Sequence, residues 1–202
     1  GRDVDVLFYA LDPSGAPRPG IGAPIEPDGT GMDYRDLAVR EDDVPIRIDL
    51  PRSWAFVAAV LADRSVEVQR IFVVEHVRTM LLEHARRVGA DAAIVGRFAD
   101  LTCQPEYPHD DHFHFRFFCT AEDVRGGCQD GAPIYPWHRD ALRAEGLSPV
   151  MQVRDAGTPR ANVTTESRAR AEAGPMHADV TAFLARRERW RRQPHPGRTY
   201  CR

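Results

Sequence analysis

The sequence predicts an α+β domain in which a small antiparallel β-sheet is flanked by helices. Residues 66–74 form the strongest run of β-branched and apolar residues in the chain, and polar and aromatic residues alternate strictly over residues 112–117. Apolar residues recur at helical spacing over residues 51–63 and again over residues 75–88. Because strand patterns repeat every second residue and helix patterns every three or four, these stretches indicate both element types in one chain.

The chain begins with a strand pattern. Residues 3–9 alternate and then run apolar, which predicts a strand that carries Asp3 and Asp5 on one face. Residues 12–33 are rich in Gly and Pro and predict a long loop, a type of segment that often binds ligands. The pattern of residues 42–49 is ambiguous between strand and loop.

The two predicted helices have recognisable ends. The first lies behind Asp49 or Ser53, either of which is a good N-cap residue. The second ends before Gly89, a residue that favours the backbone conformation found just after a helix. A further short helix is predicted over residues 90–100, and residues 103–111 form a loop that leads into the alternating strand.

Length and composition are those of an ordinary globular domain. The chain has 202 residues, of which 43% are hydrophobic and 28% charged, and this length suffices for one core with an extension. The formal net charge of -3 argues against general binding of nucleic acids. No stretch approaches the ~20 apolar residues of a membrane span. All 27 basic residues are Arg, which we interpret as compositional bias rather than as a phosphate site.

We predict that residues 1–140 form one domain and that residues 141–202 are an extension of it. The extension is polar and Arg-rich, with helices predicted from about 164 to 173 and from 178 to 192. A segment with so few apolar residues is expected to be partly helical or disordered. Its only apolar face consists of Val180, Phe183 and Leu184.

The four cysteines indicate an oxidising compartment. None belongs to a Cys-x-x-Cys pair, which argues against a structural zinc knuckle, and their even number fits two disulfides. Cys119 and Cys128 flank a loop that contains two Gly residues, which leaves Cys103 and Cys201 as the second pair by elimination. Two disulfides predict a periplasmic or secreted protein, whereas four free thiols in a cytosolic protein are the alternative.

The densest group of chemically active side chains lies at residues 108–119. His112, His114 and Arg116 share one face of the predicted strand, and the opposite face is phenylalanine. Two imidazoles two residues apart on a strand can converge on one metal ion, and imidazole suits zinc that keeps an open position for water. A carboxylate from another strand, such as Asp5, would complete the set. The alternative is a solvated His- and Asp-rich turn before an ordinary amphipathic strand.

Two separated motifs resemble sequence patterns of one family of zinc peptidases. Residues 1–6, Gly-Arg-Asp-Val-Asp-Val, resemble the end of the pattern Ser-His-x-x-Gly-x-Asp-Val-Asp-Ile. Residues 109–116, His-Asp-Asp-His-Phe-His-Phe-Arg, resemble the segment His-x-x-His-x-His-x-Arg. Both patterns belong to the penicillin-insensitive murein endopeptidases of the MepA type, within the wider group of lysostaphin, D-Ala-D-Ala peptidases and the hedgehog signalling domain. The resemblance extends to about Trp137.

The resemblance implies a fold like that of hedgehog and the D-Ala-D-Ala peptidases, with catalytic Zn2+ as cofactor. It assigns Asp5 and His114 as metal ligands and gives His112 and His109 the catalytic roles. It also places a first histidine ligand three residues before Gly1, so we expect the chain to be trimmed at its N-terminus. The domain predicted for the first 140 residues would then be the catalytic one.

The implied reaction is zinc-dependent hydrolysis of D-Ala to meso-diaminopimelate cross-links, with peptidoglycan peptides as the substrate. Arg116 would either bind a substrate carboxylate through its forked guanidinium or pair with Asp110 or Asp111. No acyl-enzyme is expected, since no Ser or Cys lies in a nucleophile motif. A D,D-carboxypeptidase or amidase of the same fold and a non-catalytic wall-binding domain are the alternatives. The sequence carries no indication of the oligomeric state.

Overall fold

The structure is a computed structural model that describes residues 2–152, 164–192 and 201. Two four-stranded β-sheets with helices beside them confirm the predicted α+β class. The strands are β1 (Asp3–Leu7), β2 (Ala10–Leu11), β3 (Pro17–Arg18), β4 (Thr30–Asp33), β5 (Val44–Ile48), β6 (Val68–Phe72), β7 (Thr102–Cys103) and β8 (His112–Phe117). The α-helices are α1 (Leu50–Ala62), α2 (Glu75–Arg87), α3 (Ala92–Leu101), α4 (Ala121–Arg125), α5 (Pro136–Ala144), α6 (Glu166–Ala173) and α7 (Ala178–Arg192), and a 3-10 helix spans Arg40–Asp42.

The first sheet, here called the site sheet, has the strand order β1-β8-β6-β7. Strand β8 is antiparallel to both of its neighbours, whereas β6 and β7 run parallel. The register of β1 and β8 places Asp5 opposite His114 and Asp3 opposite Arg116. Because directly opposite residues point to the same face of a sheet, the N-terminal carboxylates and the histidines meet on one face.

The second sheet has the order β3-β2-β5-β4 and is antiparallel. Two of its strands, β3 and β4, lie in the segment 12–33, so the prediction of an unbroken loop there was wrong. The segment 42–49, whose pattern was ambiguous between strand and loop, contains strand β5. Gly31 in β4 allows a close approach of two backbones, because a Cβ at this position would overlap the carbonyl oxygen of Pro24.

The core lies between the site sheet and helices α1, α2 and α3. Phe113 and Phe115, on the face of β8 opposite the histidines, are 0% and 1% exposed. Their rings pack edge-on against Phe8 at 4.8 Å and Phe56 at 5.7 Å, respectively. Burial of each such side chain stabilises the fold by roughly 1.5–3 kcal/mol. The predicted division of β8 into a polar and a core face is therefore confirmed.

The helices begin and end close to their predicted positions. Helix α1 starts at Leu50 behind Asp49, whose side chain accepts a hydrogen bond from the Arg52 backbone N–H at 3.1 Å. Asp49, rather than Ser53, is thus the N-cap residue. Helix α2 ends at Arg87, two residues before Gly89, which has a φ of +66°.

Both predicted disulfides are present. Cys119 is bonded to Cys128, and Cys103 is bonded to Cys201 across a separation of 98 residues. Disulfides of this kind persist in oxidising compartments. Among the residues that the structure describes, no helix is long and apolar enough to cross a membrane.

The C-terminal segment packs on the rest of the protein. In α7, Val180 and Phe183 are buried, and Trp190 lies edge-on against the ring of His76 at 4.9 Å. Arg186 forms an ion pair with Glu26 on the same side. The division of the chain at residue 140 stays a prediction, but α7 is held by side-chain packing, and Cys201 farther along the chain is disulfide-bonded to Cys103. Residues 153–163, 193–200 and 202 of the predicted extension lie outside the described part.

Candidate metal centre

Strand β8 brings His112 and His114 to one face of the site sheet because their side chains alternate with the buried phenylalanines. A third histidine, His109, joins them from the turn before the strand. Its ring centroid lies 4.8 Å from that of His112 and 5.3 Å from that of His114. The three rings therefore form one cluster rather than a solvated turn followed by an unrelated strand.

His109 reaches the cluster through an unusual backbone conformation. Its φ of 51° lies in the left-handed region, which few non-glycine residues adopt and which often marks functional sites. Its Nδ1 lies 2.8 Å from the carbonyl oxygen of Tyr107 and therefore donates a hydrogen bond to it. This bond fixes the neutral tautomer in which Nε2 carries the lone pair.

The three histidines can hold a metal ion. One nitrogen from each of His109, His112 and His114 lies within 4.8 Å of the other two. In addition, Nε2 of His114 is buried and has no hydrogen-bond partner in the described part of the protein. A buried imidazole nitrogen without a partner is costly unless another group, such as a metal ion, interacts with it. The donor chemistry therefore fits a divalent cation.

Strand β1 adds carboxylates to this cluster. Asp5 Oδ1 lies 2.9 Å from Nδ1 of His114 and 3.6 Å from Nε2 of His112. Asp3 Oδ2 lies 3.7 Å from Nε2 of His114. The structure thus brings together the ligands predicted from the sequence, Asp5 and His114, and places both predicted catalytic histidines beside them. It also groups His109 with the other two histidines, a set that the sequence had not assigned as ligands.

The protein environment shifts the pKa values of two of these histidines in opposite directions. The hydrogen bond from His112 Nδ1 to Asp111 Oδ1, 2.6 Å long, raises the pKa of His112 above its ordinary value. Burial lowers the pKa of His109. Two neighbouring imidazoles with different proton affinities are a suitable pair for general acid and general base chemistry.

Arg116 does not pair with the carboxylates that the sequence suggested. Its Nε and Nη2 lie 2.8 Å and 3.2 Å from the two oxygens of Asp3, so the expected pairing with Asp110 or Asp111 was wrong. The reason is the register of the site sheet, which places Asp3 directly opposite Arg116. Asp3 therefore lies between Arg116, with which it pairs, and His114, whose Nε2 is 3.7 Å away.

Two residues that support the cluster were missed by sequence reasoning. Asp110 is buried beside His109, and Arg187 of α7 forms two hydrogen bonds with its carboxylate. A signal for Arg187 did exist, since it lies seven residues after Val180 and three after Leu184. At helical spacing this places it on the apolar face of α7.

Two aromatic side chains, those of Tyr107 and Trp137, are both exposed but have different surroundings. Tyr107 is exposed and lines a cavity of about 370 Å³ beside α6 and α7. Trp137 stacks on Tyr135, with ring centroids 5.7 Å apart. Local stacking of Trp137 agrees with the common behaviour of aromatics in Pro-rich segments.

Comparisons with known proteins do not identify a family for this chain. No family model matches the chain, and a search of curated proteins finds no match either. Since a fold class alone supports many activities, the chemistry of the histidine cluster is the basis for inferring a function.

Proposed function

We propose that this chain is a zinc-dependent murein endopeptidase that hydrolyses the D-Ala to meso-diaminopimelate peptide cross-links of peptidoglycan. The observation that carries the proposal is the convergence of His109, His112, His114 and Asp5 on one face of the site sheet. These residues come from the two motifs that resemble the endopeptidase family. The same resemblance supports a hedgehog-like and D-Ala-D-Ala peptidase-like arrangement of the domain.

Asp5 and His114 would hold the zinc ion, as the resemblance assigns. A carboxylate and an imidazole are both ordinary zinc ligands, and Nε2 of His114, which has no hydrogen-bond partner among the described residues, suits a bound cation. When bound, zinc supplies a Lewis acid that polarises the scissile carbonyl and lowers the pKa of water. Asp3 supports the site by lying close to His114 while it accepts hydrogen bonds from Arg116.

The hydrogen bonds of the other two histidines support different roles for them in the proposed reaction. His109 donates Nδ1–H to a carbonyl, so its Nε2 is free to take a proton from the attacking water. His112 directs Nδ1 to the carboxylate of Asp111, which favours the doubly protonated ring. Its Nε2–H can then donate a hydrogen bond to the oxygen on which negative charge develops, while the proton that His109 takes from the water passes to the leaving amine.

The two disulfides support a periplasmic or secreted location, which is where peptidoglycan is found. In that compartment Zn2+ and cross-linked muropeptides are the cofactor and the substrate that the proposal requires.

The test combines metal analysis with product analysis. We expect near-stoichiometric zinc in the purified protein and conversion of cross-linked muropeptide dimers to monomers. His114→Gln should lose both, whereas His84→Gln, a matched change in α2, should retain both. Zinc-free protein that neither binds added zinc nor cleaves dimers would refute the proposal. Binding of muropeptides without cleavage would indicate a wall-binding domain, and release of terminal D-Ala alone would indicate a carboxypeptidase.

A further inference from the structure

A second cavity lies beside the candidate metal centre. It has a volume of about 620 Å³ and reaches from Asp3 and Phe72 to Cys201. Phe72 connects the two regions, because its ring centroid lies 5.1 Å from that of His114 and 5.1 Å from the Cζ of Arg116. A group bound in this cavity would therefore be a close neighbour of a group held at the histidines.

The cavity is cationic. Asp3, the acidic residue in its lining, is already paired with Arg116. The guanidinium of Arg2 donates to the carbonyl oxygen of Phe117 at 3.0 Å and lies 3.5 Å from the buried Asp130. The positive side chains in the lining are those of Arg2, Arg70 and Arg116.

Arg70 differs from the other two arginines of the cavity because no carboxylate of the described residues pairs with it. Within the described residues it forms no ion pair, and its Nη1 lies 3.3 Å from Sγ of Cys103, a weak acceptor. Arg70 in β6 also lies directly opposite Arg116 in β8. Like charges directly opposite each other destabilise a sheet. Because the carboxylate of Asp3 already balances Arg116, Arg70 is the guanidinium to which a bound anion would supply a partner.

We propose that this cavity is a carboxylate-binding subsite and that Arg70 binds a carboxylate of the substrate. The forked guanidinium matches the two oxygens of a carboxylate, and Arg70 is the arginine of the lining that has no ion pair among the described residues. The inference rests on the proposed function and deepens it. In the proposed substrate, the diaminopimelate carbon bonded to the scissile nitrogen itself carries a carboxylate, so such a group lies one atom from the reacting amide.

Binding to chelator-treated, metal-free protein tests the subsite without any contribution from a metal ion. The probes are N,N′-diacetyl-diaminopimelate and its diamide, which differ only in the carboxylates. We expect the diacid to bind at least about tenfold more tightly than the diamide, and Arg70→Gln to weaken the diacid by about tenfold or more. Arg70→Lys, which keeps the charge but loses the fork, should fall between the two. Arg64→Gln, a matched change at an exposed arginine, should bind like the parent.

The outcomes separate this inference from the proposed function. The subsite would be overturned if the parent, Arg70→Gln and Arg70→Lys proteins bound the diacid with equal affinity. It would also be overturned if inorganic phosphate displaced the diacid at an equal or lower concentration. If the zinc-loaded parent fails to cleave muropeptide dimers while Arg70-dependent binding persists, the endopeptidase proposal fails and the subsite stands. If cleavage proceeds and Arg70→Gln leaves KM unchanged, the subsite fails and the endopeptidase stands.

Discussion

Arg187 in α7 binds the carboxylate of Asp110 with two hydrogen bonds, from Nε to Oδ2 at 2.7 Å and from Nη2 to Oδ1 at 2.8 Å. Asp110 is 1% exposed and directly follows His109. The C-terminal helix therefore fixes the turn that supplies one histidine of the candidate metal centre. A buried carboxylate depends strongly on such a partner, because it has little access to water.

Arg187→Gln should lower the free energy of unfolding by about 1–3 kcal/mol, since it leaves the Asp110 carboxylate buried without its cation. Urea unfolding followed by tryptophan fluorescence measures this change. Arg189→Gln, a matched change at an exposed position of α7, should cost far less. Adding Asp110→Asn to Arg187→Gln should recover part of the loss. Equal losses for Arg187→Gln and Arg189→Gln would contradict the role of the pair.

The two disulfides should differ in their effect on stability. Cys103–Cys201 closes a separation of 98 residues and Cys119–Cys128 a separation of 9. In the chain-entropy model the longer loop contributes about 2 kcal/mol more to the free energy of unfolding. Urea unfolding of two double Cys→Ala variants, one lacking each bridge, compares the two contributions. A larger loss on removal of the short bridge would show that native packing outweighs chain entropy.

His76 should make the fold less stable in mild acid. Burial lowers the pKa of His76, and the hydrogen bond to the Ile25 carbonyl and nearby carboxylates only partly oppose this effect. The unfolded chain therefore takes up a proton first as the pH falls below about 6.5, and stability falls by up to about 1.4 kcal/mol per pH unit. Stability above that pH should be unaffected.

Unfolding curves of metal-free protein between pH 8 and pH 5 check the expectation for His76. His76→Gln keeps a donor for the Ile25 carbonyl but does not titrate, so its stability should decline less steeply in acid than that of the parent. Parallel declines would mean that other groups account for the acid sensitivity.

Zinc should stabilise the folded protein measurably. At free zinc about 100-fold above Kd, binding to the native state alone adds about 2.7 kcal/mol, or a Tm increase of about 5 °C or more for a chain of this size. Asp5→Asn removes a charged ligand and should shrink this increase. Asp100→Asn, at an exposed position of α3, serves as the control. A Tm increase of the same size in all three proteins would exclude Asp5 from the metal site.

Patterns within single elements were predictable from the sequence. The period of two in β8 divides its residues into a histidine face and a phenylalanine face, because strand geometry leaves no other arrangement. The sequence also offered Asp49 as a cap at the start of α1 and Gly89 as the end of α2. The meeting of Asp5 with His114 depends on strand register; the sequence offered Asp5 as a candidate from another strand, and the resemblance of the two motifs to one family assigned it as a ligand.

Contacts between distant elements were less predictable. The Asp110 to Arg187 pair joins residues 77 positions apart, and an Arg-rich helix with few large apolar residues has the composition of a solvated segment. Arg116 has several acidic residues near it in sequence, but the sheet register selected Asp3, which is 113 positions away. Ion pairs between residues that only the tertiary structure brings together are hard to predict from the residues near each partner in the sequence.

The position of Phe72 has a consequence for substrate selection. Its ring contacts both His114 and Arg116 from within β6, so the spacing between the histidine cluster and the arginine cavity is set by paired backbone strands. The distance between two binding groups carried on paired strands is fixed more tightly than the distance between groups on a mobile loop. If the histidine cluster and the arginine cavity bind two groups of one ligand, as proposed, ligands with one fixed separation between those groups are expected to bind better than homologues longer or shorter by a methylene.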